Sequence, residues 1–275
     1  MTIARLDNEV FFKKAFTDRI VFKAFVKDIV GIDIEPTTIE TEKTFVPKVG
    51  SIGFKYDIFA DDPTNRVIVE IQKVEYDHNF DRFLHYHLQA ITEQQRSSAD
   101  YSVDRVVYTI VVMTSRYKIH QKTGEIVEDE VLISSLNPKN LRGYEKKLFG
   151  HNLIFLNPNY KDGSTSDNYR DWLDLIYESI HHPENPTINI NKEGIKRAAE
   201  LVQFENISPE EWEESKIETG KRKVLTMRYD EGKEAQLEEN ILGLLSQGIL
   251  NDEQISSAFN VSLEYVKEIK NKTSN

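Results

Sequence analysis

The sequence predicts a mixed α/β core, a sheet flanked by helices, followed by a helical C-terminal region. Three observations predict it. Apolar residues recur at helical spacing, then in strand-like runs, then at helical spacing again, in the order αββαβ. A short link, "DDPTN" at 61–65, joins two of the strand-like runs. Beyond the Pro- and Asn-rich "HHPENPTININ" at 181–191 the composition turns helical and charged.

Taken in order, Phe12, Phe16, Ile20, Phe22, Phe25, Val26 and Ile29 lie mostly at helical spacing between Asn8 and Gly31. They predict one or two amphipathic helices with Gly31 as the stop. A Thr-, Val- and Ile-rich stretch from Thr38 to Val49 precedes strand-like runs at Phe54–Ala60 and Arg66–Val74. The link between those runs is turn chemistry: Asp for local hydrogen bonds, Pro to preset φ, Asn to tolerate a left-handed conformation. Phe80, Phe83, Leu84, Leu88 and Ile91 mark a helix, and Val106–Met113 reads as a strand buried on both faces. "KTG" at Lys122–Gly124 predicts another hairpin turn before "EIVEDEVLISSL". A short strand at Leu153–Leu156 and a helix from Ser166 to Ile180, carrying Tyr169, Trp172, Leu173, Leu175 and Ile176, complete the core, which the composition places at residues 1–183.

Residues 184–275 form the helical region. Ser208, Pro209 and Glu211 open a helix by the capping-box pattern. Further on, Asn251 with Gln254, a turn at Phe259–Val261 and Ser262 predict a helix-turn-helix within 238–270. Only Lys267, Lys270 and Lys272 offer phosphate contacts there, and Arg, the commonest guanine reader, is missing. DNA contact and helical packing with self-association are both compatible with it.

At 275 residues with 39% hydrophobic content and no cysteine, the chain has a globular composition and no thiolate chemistry; a metal needs oxygen or imidazole ligands. The N-terminus lacks a signal-peptide apolar run and no later segment approaches a membrane span, so a cytoplasmic protein without a membrane partner is expected. A net charge of −11 argues against coating nucleic acid through the overall field. The charge is uneven, however. Residues 205–240 hold eleven acidic against six basic side chains, whereas "NPKNLRGYEKKLFGH" is a basic island with Lys139, Arg142, Lys146 and Lys147 against Glu145. The seven histidines show no metal-ligand spacing among themselves.

The chemistry concentrates in "KYDIFADDPTNRVIVEIQK", from Lys55 to Lys73. In strands, side chains alternate, so Glu70 and Gln72 share one face, and Lys55, Asp57 and Phe59 share a face of the partner strand. A register that sets Asp57 opposite Glu70 brings two carboxylates together, and they repel unless a cation lies between them. Mg²⁺ suits such a donor set, with the Ile71 carbonyl as a further ligand. The competing reading is a pair of solvated charges beside an ordinary turn. On the following helix Arg82, Tyr86 and Gln89 stand at i, i+4 and i+7, one stripe able to clamp a phosphate and stack on a base.

Asp57 followed by Glu70-Ile71-Gln72 resembles the PD-(D/E)XK nuclease superfamily, and in particular the bacterial PD-(D/E)XK family transposases, or recombination-promoting nucleases. The likeness covers residues 8–160 through "FFKKAF" at Phe11–Phe16, Asp57, "VEIQK" at Val69–Lys73 and "DRFLHYHLQ" at Asp81–Gln89, in that order. It implies a restriction-endonuclease-like sheet in residues 1–183 and a metal-dependent DNA endonuclease, with Asp57 and Glu70 holding Mg²⁺ or Mn²⁺. Gln72 would stand where many members have a catalytic Lys; Gln can orient water or phosphate but supplies no positive charge. Lys55 is the geometric candidate to restore that charge, since Lys73 should point away. Glu9 falls where the group carries Asp in its first helix, and either reaches the metal or faces solvent. The aromatics of "FFKKAF" are expected in the core, with its lysines on the wet side. A non-catalytic DNA- or protein-binding regulator on a degraded nuclease fold is the alternative.

Overall fold

In a computed structural model the described residues are 1–45, 54–73, 80–95, 102–116, 124–247, 250–259 and 261–272. The ends of the runs expected to reach Val49 and Val74, most of the turn expected at Lys122–Gly124, and Asn260 of the turn at Phe259–Val261 lie outside them.

Two helices open the chain, α1 (Glu9–Phe16) and α2 (Arg19–Val30). Asn8 caps the first through the Val10 N–H, and Asp18 caps the second through Ile20 and Val21. Gly31 ends α2 in the left-handed region at φ +80°, where a side chain would be strained. Six strands follow: β1 (Ile39–Phe45), β2 (Phe54–Asp61), β3 (Asn65–Gln72), β4 (Val106–Met113), β5 (Val131–Ser135) and β6 (Asn152–Leu156). They form one mixed sheet in the order β1-β2-β3-β4-β6-β5. β3, β4 and β6 run parallel, and the remaining pairs are antiparallel. The parallel step from β3 to β4 needs a crossover, which α3 (Phe80–Thr92) supplies. In the β2–β3 turn Asp62 Oδ1 accepts from the Thr64 and Asn65 N–H groups at 2.8 and 2.7 Å, the Asx-type chemistry the link predicts.

α1, α2, α4 (Asp167–His181) and α5 (Glu193–Leu201) build the larger core with Ile58, Val67, Val69, Ile71, Ile110 and Val112 of the sheet. α3 is associated with two smaller clusters, Phe83 with Val111, Met113 and Phe155, and Ala90 with Tyr56, Phe59, Ile68 and Val107. Its buried stripe is therefore Phe83, His87 and Ala90, one turn apart, while Leu84 and Leu88 are exposed and do not belong to the core face. Ile20 is likewise exposed on α2.

The chain divides by compactness into Met1–Ser215 and Lys216–Asn275. Composition changes earlier, near residue 184, because α5 is charged on its outer face yet buries Ile195, Ala198 and Ala199 in the larger core. Gly194 permits that approach: a Cβ there would stand 2.4 Å from the Ala24 Cβ, so α5 could not seat against α2 without a shift. The division falls inside α6 (Pro209–Gln247), which starts with the expected capping box, Ser208 Oγ accepting from Glu211 N–H and Glu211 Oε2 from Ser208 N–H. In the second unit, α7 (Asp252–Phe259) and α8 (Leu263–Lys272) share a small core of Ile241, Ile255, Val266 and Ile269. Asn251 and Gln254 make a reciprocal cap at the start of α7. Among the described residues no helix is long and apolar enough to cross a membrane.

His87 lies buried between α3 and β4, its Nδ1 2.9 Å from Thr109 Oγ1 and its Nε2 without a hydrogen-bond partner among the described residues. Burial, with His151 adding, lowers its pKa to about 4. The fold therefore holds the neutral ring, while the unfolded chain takes up a proton near pH 6.5. Between about pH 6.5 and 4 the unfolded state binds more protons, so stability present above that window is lost as pH falls, by about 3 kcal/mol in full. Urea denaturation of wild type and His87→Gln at pH 7.5 and 4.5 should show the larger acid loss in wild type. Equal losses would overturn this account.

Candidate active site

The β2–β3 ladder runs from Asp61–Arg66 to Ile58–Val69, and the next row of the same register sets Asp57 opposite Glu70. There the two side chains bond to the opposing backbone. Glu70 Oε1 accepts from the Asp57 N–H at 3.1 Å, and Asp57 Oδ2 accepts from the Ile71 N–H at 3.0 Å. Two carboxylates are thus fixed at one end of the hairpin by reciprocal side chain–backbone bonds.

A slip in the strand alternation makes this possible. Tyr56 and Phe59, three residues apart, share a cluster beneath α3, while Ile58 joins the opposite core. Asp57 stands at the slip, and its Oδ1 lies 3.9 Å from Lys13 Nζ on α1. The expectation that Lys55, Asp57 and Phe59 share one regular strand face is corrected accordingly. On β1 the residue opposite is Glu42, the only non-glycine with positive φ among the described residues, at 57°. Its carboxylate meets Lys13 at 3.3 Å and Lys55 at 2.8 Å. Backbone strain of that kind costs of order 1–3 kcal/mol and concentrates at functional sites.

The electrostatics are those of crowded anions. Burial raises the pKa of Glu70, which is 2% exposed, well above the usual carboxylate range, and the neighbouring Asp57 adds to the rise. Burial also raises that of Asp57; the Ile71 N–H opposes the shift, Glu9 adds to it, and Lys13 and Arg82 oppose it. Lys13 is buried enough to lose basicity, yet its carboxylate neighbours Glu9, Asp57 and Glu42 outweigh that and raise it. Lys13 is therefore an ammonium turned into the site, its side chain 13% exposed, and the expectation that both "FFKKAF" lysines sit on the wet side fails: Lys14 too is half-buried, paired with Glu211.

The other sequence candidates fall around this pair. Glu9 is ion-paired to Lys13 one helical turn away. Lys55 is more than half exposed and bonded to Glu42. Lys73 points away, as strand alternation requires, and pairs at 2.6 Å with the buried Asp7. Gln72 is buried, and its Oε1 accepts from Arg82 at 3.4 Å. Arg82 lies over the Tyr86 ring, 5.1 Å from its centroid, and its Nε donates to the Tyr86 hydroxyl at 3.1 Å. Gln89 is half-buried one turn on, and its side chain makes no hydrogen bond among the described residues. The residues sequence reasoning passed over are Lys13 and Glu42. A signal for the first was available, since Lys13 follows Glu9 by four positions on a helix whose Phe12 and Phe16 face the core.

The donor set fits a divalent cation. The two carboxylates, whose ionised forms are disfavoured first by burial and then by acidic neighbours, are hard oxygen ligands that a cation would favour in the charged form. Among the described residues no group of three or more His, Cys, Asp or Glu side chains could hold a metal, so a bound ion would rely on these two, the main chain and water. That is the coordination habit of Mg²⁺ rather than of Zn²⁺.

Comparison with curated proteins and with solved structures returns no significant match. The family described as PD-(D/E)XK nuclease family transposase matches residues 26–225, a span that holds the six-stranded sheet, α3 and the Asp57–Glu70 pair but not α1 with Glu9 and Lys13. Nucleases of this superfamily generally use divalent metals. With a match over more than half its length and a mixed sheet flanked by helices, the chain belongs to the PD-(D/E)XK nuclease family transposases.

Proposed function

We propose that this chain is a metal-dependent DNA endonuclease of the transposase or recombination-promoting kind, acting in the cytoplasm. The observation that supports it most is the Asp57–Glu70 pair, locked by reciprocal bonds beside the half-buried ammonium of Lys13. A Mg²⁺ or Mn²⁺ ion held by Asp57, Glu70 and the Ile71 carbonyl would lower the pKa of water and offset charge growing on the scissile phosphate.

The chain's own residues do the rest. The Asp57 and Glu70 carboxylates orient their donor oxygens through the backbone N–H groups they accept from. Lys13 supplies the positive charge that Gln72 cannot, at the carboxylates and at a phosphate oxygen brought to them. Lys55, tied to Glu42, stands further from this chemistry. Gln72 orients a water or phosphate oxygen, and Arg82 clamps a phosphate while Tyr86 and Gln89 line its approach. Residues 1–183 carry the chemistry in this reading. The C-terminal helices serve self-association in this reading; of the three lysines there that could meet phosphate, Lys270 is paired with Asp252 at 2.7 Å.

A second reading has one observation behind it. Gln72 replaces a lysine and is bonded to Arg82, which suits a regulator that binds DNA or protein on a nuclease fold without cutting. Supercoiled plasmid decides between them. Wild type should nick or linearise it with Mg²⁺ or Mn²⁺ and not in chelator, and Asp57→Asn should lose at least about 10²-fold in rate. Salt-sensitive DNA binding without metal-dependent cutting would establish the regulator instead.

A further inference from the structure

We propose that residues 136–150, between β5 and β6, form a duplex-gripping hairpin that contacts DNA away from the cutting site. The proposal rests on the nuclease reading for its partner and on the hairpin's own construction for the rest.

The segment is fully built. Asn137 Oδ1 accepts from the N–H groups of Leu148, Phe149 and Gly150 at 2.9, 2.9 and 3.2 Å, closing its base. Asn140 Oδ1 accepts from Arg142 and Tyr144 at 2.9 and 3.0 Å, and Gly143 takes φ +84°, so the tip is a pinned turn. Lys139 and Glu145 bridge the two arms. A solvent-exposed connection with no binding task has no need of two side chains that tie down five backbone N–H groups.

What this turn displays is a binding surface. Leu141 at the tip is fully exposed, and Leu148 and Tyr144 are 69% and 66% exposed. Lys139, Arg142, Lys146 and Lys147 are exposed and have no ion-pair partner among the described residues, although the chain carries −11 overall. Apolar side chains held in water beside unpaired cations match a polyanion with stackable or separable rings. An exposed leucine next to an arginine on a rigid tip is the chemistry of a wedge entering the minor groove. A protein partner with an acidic surface would satisfy the charges; the pairing of wedge and arginine favours DNA.

Its place in the fold separates it from the cutting site. β6 begins at Asn152, in register with Tyr108 and thus with Val67, three residues or about 10 Å before the row of Glu70. The hairpin leaves the sheet at that far end, two strands across from β3. Contact there adds hold on a duplex without touching the reacting phosphate.

The test is fluorescence anisotropy of a labelled 30-base-pair duplex (roughly three helical turns) with the full chain in chelator, across a salt series. Arg142→Ala/Lys146→Ala/Lys147→Ala should weaken binding at least about 10-fold, and the slope of log affinity on log salt should shrink by about 2–3, at ~0.9 per lost phosphate contact. Leu141→Ser should weaken binding several-fold with the slope unchanged. Since all four positions are exposed, their melting temperatures should equal that of wild type. Unchanged affinity and slope in both variants, no duplex binding by wild type, or a change in sedimentation in place of a change in binding each overturn the hairpin's role. Binding is read without cleavage, so failure of the nuclease reading registers separately, as inactive wild type on plasmid.

Discussion

Glu70→Gln is expected to abolish cleavage and, in the same molecule, to raise the melting temperature of the metal-free protein. Losing a carboxylate that would hold the ion should cost about 10³-fold in rate, ~4 kcal/mol of barrier. The gain in stability follows from the raised pKa of Glu70, caused first by burial and then by Asp57. A carboxyl whose folded pKa lies above its unfolded value is ionised first in the unfolded chain. Stability is therefore undiminished below the ordinary carboxylate range and falls as pH rises through it towards the folded pKa. Gln has no proton to lose and keeps an oxygen for the Asp57 N–H that Glu70 now accepts. The variant should match wild type at about pH 4 and melt higher than wild type at pH 8, the gap opening as pH rises above the ordinary carboxylate range. Calorimetry in chelator reads it. A lower melting temperature at pH 8, or nicking at the wild-type rate, would refute the assignment of Glu70.

Lys13→Met is expected to slow cleavage by about 10²–10³-fold while tightening divalent-ion binding several-fold. Both follow from one charge. The ammonium stands 3.9 Å from Asp57 Oδ1 and also faces Glu9 and Glu42. It offsets the carboxylates in place of an ion, and beside a bound phosphate it stabilises the charge that grows during attack. Met keeps the length and apolar stem without the charge. Calorimetric titration of Mn²⁺ into both proteins separates the two effects, and Lys13→Arg should recover part of the rate. A variant that cuts at full rate, or binds the ion more weakly, would show that Lys13 is only a helix-surface partner of Glu9.

Part of this site is written in local patterns. The hairpin was legible because Asp62 and Pro63 carry their turn preference wherever the chain goes, and Asp62 makes the bonds that preference implies, whereas Asn65 opens β3 without the left-handed conformation expected of it. Alternation along β3 correctly sent Lys73 away from Gln72. On β2 the same rule failed, since the slip at Asp57 depends on Tyr56 finding α3, where its hydroxyl donates to the Tyr86 carbonyl at 3.0 Å. Lys13 was misjudged for a related reason. Its helix is amphipathic by pattern, but the pattern cannot say that a carboxylate cluster lies against the edge of the apolar face.

By itself the sequence determined the order of helices and strands, the caps at Ser208 and Asn251, and the presence of two carboxylates on paired strands. Those depend on neighbours within a few residues, where spacing and turn chemistry decide. Only the tertiary structure decided that the Lys13 ammonium lies beside Asp57, that α5 belongs with the core and that the 136–150 hairpin stands clear of the Asp57–Glu70 pair. Each of these is a meeting of segments distant along the chain, set by how α1, α2 and the sheet share one apolar core, and burial there also moves the pKa values of Asp57 and Glu70.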